Sequence, residues 1–167
     1  MELIDLAELQ QVLQDLANDI RDNYKEHLEF SNRLTELGVP SGYTQKLIDS
    51  VKTQVVLGDR AFEVTMTLND YWKYVEDDTE PHFPPPNKIL EWVEIKPVIP
   101  RPLASGKLPT PKQLAFLIGR AISEHGTKGS HDLEKVKDGV IPFYRDKIAA
   151  ALGRDMENYI RKVVINQ

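Results

Sequence analysis

The sequence contains no cysteine, and this absence removes several kinds of chemistry at the outset. Without a thiol the chain forms neither disulfides nor thiolate metal sites, and it has no cysteine nucleophile. It also lacks a long apolar run, since no stretch approaches the ~20 residues that a membrane-spanning helix needs. Glu2 and Asp5 stand where a secretory signal carries basic residues, so we expect no signal peptide and no membrane partner.

Familiar catalytic and metal-binding patterns are missing as well. The stretch Gly126–Ser130 departs from the pattern Gly-x-x-x-x-Gly-Lys-Ser/Thr and follows a predicted helix instead of a strand. His125 and His131 have no partner at metal-ligand spacing. We therefore predict no catalytic residue, no cofactor and no metal site. The carboxylates of Glu76–Glu80 favour a solvated loop or a salt-bridging interface, and a hydrolase using them with a divalent cation is an open alternative.

The remaining composition is that of a globular protein with an uneven distribution of charge. The chain has 167 residues, 41% of them hydrophobic, with a net charge of −5. Residues 1–80 hold 17 acids and 7 bases, whereas residues 81–128 hold 3 acids and 7 bases. An acidic half argues against a protein that grips nucleic acid through its phosphates. It fits a basic partner, a surface that must not stick to DNA, or a solubilising face.

Residues 51–68 give the clearest structural signal, which is a β-hairpin with one buried face. Apolar and polar residues alternate over 51–57 and again over 62–68. A two-residue connection, Gly58–Asp59, is predicted to join the strands with a positive φ at its glycine. Because a lone hairpin is marginal in water, helices on either side must cover it.

An aromatic and acidic segment, Tyr71–Glu80, follows the hairpin. We expect Trp72 and Tyr74 to share one face of a strand and Tyr71 to take the other. This arrangement suits an interface hot spot as well as an ordinary sheet edge beneath the next part of the chain.

A narrow apolar stripe predicts a long N-terminal helix over residues 1–38. Apolar residues recur at spacings of three and four over residues 6–28. Asp5 is predicted to cap the helix with Glu8 in the capping-box position. An unbroken helix would be ~50 Å long at ~1.5 Å per residue, which exceeds what a small sheet covers. Part of it is then expected to pack on a neighbouring subunit, and a break within residues 31–32 is the alternative.

Nine of the eleven prolines lie in residues 81–111, which predicts an extended and ordered crossing, with a ligand for an SH3-type domain as the alternative. Within it, Asn87–Ile95 is predicted to be a short helix capped by Asn87. Residues 44–50 fit either a helical turn or the start of a strand.

Two helices are predicted in the C-terminal part of the chain. Thr110 and Gln113 form a capping-box pattern around Pro111, and Gly126 is predicted to end that helix. Its predicted buried stripe comprises Leu114, Leu117, Ile118, Ala121 and Ile122, with Phe116 beside it. A flexible loop over 125–130 is predicted to lead to a last helix that begins near Pro142. The predicted face of that helix comprises Tyr144, Ile148, Ala151, Leu152, Met156, Tyr159 and Ile160.

These patterns together predict an α+β fold, in which a small antiparallel β-sheet built on a central hairpin is covered by a long N-terminal helix and two or three further helices. We expect one domain over residues 1–167. Its parts are the N-terminal helix (1–38), the hairpin region (47–76), the proline-rich crossing with its short helix (81–109) and the helical C-terminal part (110–167).

The order of several segments resembles a known family. The segments are, in order, Leu47–Val51 leading into the hairpin, Tyr71–Glu76, the helix Ile89–Lys96 within the proline-rich crossing, Gln113–Ile122, and His125–Gly129. Over roughly residues 34–152 this order is similar to the tail-completion or neck proteins of long-tailed bacteriophages, the gene-product-ten-like family of the lambdoid phages. The family's usual Gly-Thr pair after the Tyr-x-x-Tyr-Val-Glu segment is replaced here by Asp77-Asp78-Thr79.

The resemblance implies a structural virion protein that is not an enzyme and that forms a homo-oligomeric ring at the head–tail junction. Genomic DNA would pass through this ring without sequence-specific binding. Other phage connector, portal-proximal and tail proteins would be its partners. The protein would be made in the cytoplasm of the host bacterium and located in the virion. We expect Trp72, Tyr74, Arg101 and Lys128 to be interface residues.

An alternative function of a different class also follows from the sequence. The N-terminal amphipathic helix could bind a partner helix, as in a cytoplasmic protein-interaction adaptor.

Overall fold

The computed structural model describes residues 4–30, 42–58, 61–95 and 100–165. Its elements are, in chain order, α1 (Ala7–Phe30), α2 (Gly42–Ser50), β1 (Lys52–Leu57), β2 (Phe62–Thr67), a 3₁₀ turn (Asp70–Trp72), α3 (Lys73–Glu76), α4 (Pro86–Ile95), α5 (Pro111–His125) and α6 (Asp132–Ile165). The fold is α+β, as predicted, being mostly helical with a small two-stranded antiparallel sheet and a long N-terminal helix. Within the described ranges, none of the helices combines the length and the apolar character that crossing a bilayer requires.

The chain divides into two compact units. The first unit comprises Met1–Lys25, Val51–Thr67 and Leu133–Gln167, and the second comprises Glu26–Ser50 and Leu68–Asp132. The first unit therefore contains the hairpin and most of α1 and α6, while α2 to α5 belong to the second. The single domain expected over the whole chain stays a prediction.

The core of the first unit forms where α1 and α6 pack together. Its buried cluster comprises Leu9, Leu13, Leu16, Tyr144 and Ala151. Val55 and Val64, which are directly opposite each other in the hairpin, pack against this cluster. The stripe of α1 predicted to cover the hairpin is therefore confirmed. The predicted extension of this helix to residue 38 lies outside the described residues.

The hairpin forms as predicted, but its turn does not. The strands pair antiparallel with Leu57 opposite Phe62, which leaves a four-residue connection from Gly58 to Ala61. The predicted two-residue Gly58–Asp59 turn is therefore wrong, and Gly58 does not have a positive φ. The Gly58 N–H donates to the Ala61 carbonyl over 2.9 Å and closes the connection. Burial of the apolar strand faces sets this register, because a slip of one residue would turn those faces outward.

A carboxylate of α6 caps the N-terminus of α1. The buried Asp155 accepts hydrogen bonds from the N–H groups of Leu9 over 2.9 Å and Glu8 over 3.3 Å. The first N–H groups of a helix have no acceptor inside the helix, so an outside carboxylate stabilises them. The Glu8 carboxylate, predicted to serve a capping box with Asp5, is instead ion-paired with Arg154.

α6 begins earlier than predicted. It runs from Asp132 to Ile165 with Pro142 inside it, whereas the prediction placed its start near that proline. Proline removes one backbone hydrogen bond from a helix interior. Val136 before the proline and Tyr144 after it are both buried, so packing on either side offsets that loss.

The predicted face of α6 is only partly correct. Tyr144, Ile148 and Ala151 belong to the core of the first unit, and the Tyr144 hydroxyl donates to Asp19 Oδ2 over 2.6 Å. Burial and the hydrogen bond to Asp19 raise the pKa of Tyr144 to about 12. Three other residues predicted for this face are exposed instead, namely Leu152, Met156 and Ile160.

The aromatic segment after the hairpin is helical, so the strand face predicted for it is wrong. Asp70–Trp72 forms the 3₁₀ turn and Lys73–Glu76 forms α3. Residues two apart on a helix point to nearly opposite sides, which separates Trp72 from Tyr74. Trp72 is half-buried, and Tyr74 is 69% exposed.

The second unit is built mainly from helices. The residues before β1 that fitted either a helix or a strand belong to α2, in which Leu47 and Ile48 are buried. α4 begins at Pro86, one residue before the predicted cap at Asn87, and it packs against α5. Residues 96–99 of the predicted crossing lie outside the described residues.

α5 begins and ends as predicted. The Thr110 N–H donates to Gln113 Oε1 over 2.9 Å, and the Gln113 N–H donates to Thr110 Oγ1 over 3.3 Å. This reciprocal pair is the predicted capping box. Gly126 ends the helix with φ at 68°.

The inward face of α5 is rotated relative to the prediction. Ala115 and Gly119 are buried, whereas Leu117 and Ala121 of the predicted stripe are exposed. The ring of Phe83 lies over Gly119, where an added Cβ would meet the ring at 3.4 Å. The missing side chain at Gly119 leaves the space that this aromatic ring occupies.

Replacing Asp155 with alanine is expected to lower the free energy of unfolding by about 1–2 kcal/mol, because two helix N–H groups lose their acceptor. Urea denaturation followed by circular dichroism measures the change. Arg154→Ala is the matched control, since it breaks an exposed ion pair beside the cap and is expected to change stability by less than about 1 kcal/mol. Equal effects of the two substitutions would contradict the capping role.

Candidate interaction surfaces

In the second unit, the loop after α5 is bonded to the segment after α3. We term residues 126–131 the docked loop and residues 75–80 the acidic turn. Thr79 and Thr127 form an antiparallel bridge between them. The Thr79 N–H donates to the Thr127 carbonyl over 2.9 Å, the Thr127 N–H donates back over 3.2 Å, and the two hydroxyl oxygens are 2.7 Å apart. The bridge fixes one end of the docked loop.

Further bonds fix the other end of the docked loop. The Ser130 N–H donates to the Val75 carbonyl over 2.9 Å, and the His131 N–H donates to the Glu76 carbonyl over 3.2 Å. The Ser130 hydroxyl also donates to Oε1 of the buried Glu76 over 3.2 Å. The loop predicted to be flexible is thus held by hydrogen bonds at both ends.

Asp78 is the electrostatic centre of this contact. Its carboxylate accepts from Lys128 Nζ over 2.7 Å and from the Gly129 N–H over 2.8 Å, and it lies 3.3 Å from His131 Nε2. The hydrogen bond from Lys128, followed by those from Gly129 and His131, lowers the pKa of Asp78 to about 2. The carboxylate therefore stays ionised at any physiological pH.

Two glycines permit the close approach of the two backbones. An added Cβ would lie 1.9 Å from the Thr79 carbonyl oxygen at Gly126 and 2.0 Å from the Glu76 carbonyl oxygen at Gly129. His131, at the end of the loop, has a φ of 51°, a left-handed conformation that is uncommon for a residue with a side chain. The hydrogen bonds of the docked loop offset this strain.

Two carboxylates of the acidic turn are engaged in separate protein contacts. Glu76 is buried and bonded to Ser130, whereas Asp78 is bound to Lys128 at the surface. Across the described ranges, no group of three or more His, Asp or Glu side chains is placed to hold a metal ion.

The four predicted interface residues occupy two places in the second unit. Trp72 and Tyr74 directly precede the acidic turn, and Lys128 is ion-paired with it through Asp78. Arg101 is exposed in a separate loop before α5. Tyr74 is the most exposed aromatic side chain of this group, at 69%. The structure therefore places three of the four predicted residues in or beside the docked loop and the acidic turn, although Lys128 is far from the other two in the sequence.

An apolar groove between α4 and α5 was missed by the sequence analysis. It encloses about 260 Å³, and its lining includes Phe83, Pro86, Leu90, Lys112, Phe116 and Gly119. The centroids of the Phe83 and Phe116 rings lie 6.4 Å apart at an angle of 51°. The two rings are 52% and 59% exposed. The signal that could have revealed the groove is the pair of small residues Ala115 and Gly119, one turn apart on α5.

α6 carries a row of apolar side chains on its exposed side. The row, which we term the α6 stripe, comprises Leu152 (37% exposed), Met156 (38%), Ile160 (54%) and Val163 (37%). Spacings of four, four and three place these residues on one face of the helix. Apolar side chains arranged along one exposed face indicate a contact surface.

Comparisons of the chain with models of known protein families, with curated proteins and with solved structures found no match. The similarity to phage neck proteins therefore stays a prediction drawn from the order of the segments.

Gly129→Ala is expected to lower the free energy of unfolding by about 2 kcal/mol or more, because the new Cβ collides with the Glu76 carbonyl. Gly139→Ala is the matched control. It makes the same substitution inside α6, where the added Cβ would meet no atom of another part of the chain within 4 Å. It is expected to raise the free energy of unfolding by about 0.5–1 kcal/mol. Chemical denaturation measures both values, and a neutral Gly129→Ala substitution would show that the loop is not closely docked.

The low pKa of Asp78 gives a pH dependence of known sign. A carboxyl group whose pKa is lowered on folding stabilises the folded state above its unfolded pKa of about 3.9, and that stabilisation disappears as the pH falls through about 2. An NMR titration of the Asp78 carboxyl carbon is expected to show its midpoint near that low value. Lys128→Ala should raise the midpoint, because it removes the strongest hydrogen bond, whereas Lys107→Ala should leave it unchanged. An unchanged midpoint in Lys128→Ala would contradict the assigned cause.

Proposed function

We propose that this protein is a structural subunit of the head–tail junction of a long-tailed bacteriophage, and that it acts by assembling into a homo-oligomeric ring and not by catalysis. The observation that carries the proposal is the α6 stripe. Its four apolar side chains are exposed along one helix face, and a neighbouring chain would remove them from water. The order of segments that resembles the neck proteins supplies the kind of assembly.

The charge distribution supports a ring through which DNA passes. Residues 1–80 carry 17 acids against 7 bases, so this part of the chain repels phosphates overall. An acidic surface facing the lumen would let genomic DNA slide without sequence-specific binding. Other connector, portal-proximal and tail proteins of the virion would contact the ring from above and below. Tyr74, which is 69% exposed, is the more exposed of the two predicted aromatic interface residues and is open to such contacts.

The burial of α1 disfavours the adaptor alternative. An adaptor would offer the apolar face of this helix to a partner, but Leu9, Leu13 and Leu16 are buried against α6 in the first unit. Binding a partner through that face would require the core to open.

The proposal is tested by native mass spectrometry of the purified protein, with negative-stain imaging of large species. We expect a closed ring with a central hole. Ile160→Asp is expected to weaken assembly about tenfold or more, because the interface would bury an unpaired carboxylate. Asn158→Asp adds the same charge on a different face of α6 and should assemble like the original protein.

Two outcomes would contradict the proposal. Ile160→Asp could assemble like the original protein while remaining folded by circular dichroism, which would remove the α6 stripe from the interface. The original protein could also remain monomeric up to about 1 mM, which would contradict self-assembly into a ring.

A further inference from the structure

We infer that the groove between α4 and α5 receives the acidic end of α1 from a second copy of this chain. We term Glu26, Glu29 and Phe30 the acidic tip. The inference deepens the proposed function and rests on it for the closed ring that the contact would build. The docking contact itself is argued from the shape and charge of the two surfaces.

The groove has the size and lining of a site for an aromatic side chain. Its volume of about 260 Å³ is below the ~300 Å³ at which small-molecule pockets usually begin. Phe83 and Phe116 line it together with the small residues Ala115 and Gly119. Aromatic rings favour edge-to-face and offset contacts with one another, so the exposed parts of these two rings suit contact with a further aromatic ring.

The rim of the groove carries a cation that has no described acidic partner. Lys112 lines the groove, and none of the acids in the described ranges forms an ion pair with it. Two other cations of α4 and α5 are already paired within their own helices. Lys88 binds Glu91 over 3.1 Å, and Arg120 binds Glu124 over 2.8 Å. The ammonium group of Lys112 is thus available to a carboxylate that approaches with the occupant.

The acidic tip has the complementary properties. Phe30 is 73% exposed, more than any other large apolar side chain in the described ranges. Glu26 lies one helical turn before Phe30, and Glu29 directly precedes it. Both glutamates are exposed, and neither has an ion-pair partner among the described residues. An aromatic ring flanked by carboxylates matches an aromatic groove with an ammonium group at its rim.

Charge distinguishes Phe30 from Phe143 and Val164, two other exposed apolar side chains. Phe143 already has the ammonium group of Lys147 3.8 Å from its ring centroid. Val164 follows two basic residues, Arg161 and Lys162, and docking it would bring like charges towards Lys112. The acidic tip combines an aromatic ring, which suits the aromatic lining of the groove, with carboxylates that are opposite in charge to Lys112.

The proposed contact joins different surfaces of two copies. Phe30 is too exposed to occupy the groove of its own chain, so the groove takes the tip of another copy. A contact between two unlike surfaces is heterologous and leaves one tip and one groove open at the ends of every assembly. Such contacts build a ring when the rotation between copies closes, and a filament when it does not.

Sedimentation velocity over a range of protein concentrations tests the contact. Phe30→Ala and Lys112→Glu are each expected to weaken self-association about tenfold or more, because each removes one central element of the contact. Adding Glu29→Lys to Lys112→Glu should restore part of the lost association by reversing both charges. Leu108→Ala is the control, since it truncates a similarly exposed apolar side chain outside both surfaces. Circular dichroism confirms that each variant is folded.

A mixing experiment tests the heterologous geometry directly. Phe30→Ala keeps its groove but loses its tip, whereas Phe116→Asp keeps its tip but loses its groove. Mixed together, the two variants should form complexes that neither forms alone, because each mixed pair has one intact tip and one intact groove. If the contact instead joined identical surfaces of the two copies, mixing the variants would not restore association.

The possible results separate this inference from the proposed function. Rings that persist in Phe30→Ala would overturn the docking contact and leave the ring proposal standing. Dimers or open filaments that depend on Phe30 would support the contact and count against a closed ring. No complex in the mixture, or an original protein that stays monomeric at about 1 mM, would overturn the docking contact.

Discussion

The packing of α1 against α6 decides which apolar surfaces of the first unit remain exposed. Three leucines of α1 meet Tyr144 and Ala151, and the hairpin packs its inner face on the same cluster. Asp155 and Tyr144 add polar contacts across this interface, one to the N-terminus of α1 and one to Asp19. A helix can turn only one face to a core, so the remaining apolar residues of α6 stay on the solvent side. The α6 stripe is the consequence of that choice, and the proposed assembly depends on it.

The second unit is held by a different kind of interaction, in which backbone meets backbone. Gly126 and Gly129 let the docked loop approach the acidic turn more closely than any side chain would allow. The hydrogen bonds of the docked loop also engage the carboxylates of Glu76 and Asp78. The unit leaves several aromatic side chains exposed, among them Tyr74 beside the acidic turn and the Phe83 and Phe116 rings of the groove.

The two exposed surfaces and the charge distribution favour a protein that acts through contacts with other chains. The α6 stripe is apolar, and apolar burial supplies association energy without direction. The groove and the acidic tip combine an aromatic contact with opposite charges, and charge pairs supply register and orientation. A ring subunit needs both properties, because each copy must bind its neighbour firmly and at a fixed angle.

Local signals in the sequence determined where most elements form. The alternation of residues 51–68 predicted the hairpin, the leucine spacing predicted α1, and Thr110 with Gln113 predicted the start of α5. These signals depend on residues within one or two turns of each other, so they can be found without the fold.

The tertiary structure alone decided the hairpin register, the early start of α6, the cap on α1 from a residue 146 positions away and the docked loop. It also decided which residues of α5 and α6 face inward. Periodicity shows that a helix has apolar residues on more than one side, but only the packing of distant segments determines which side is buried and which remains available for a partner.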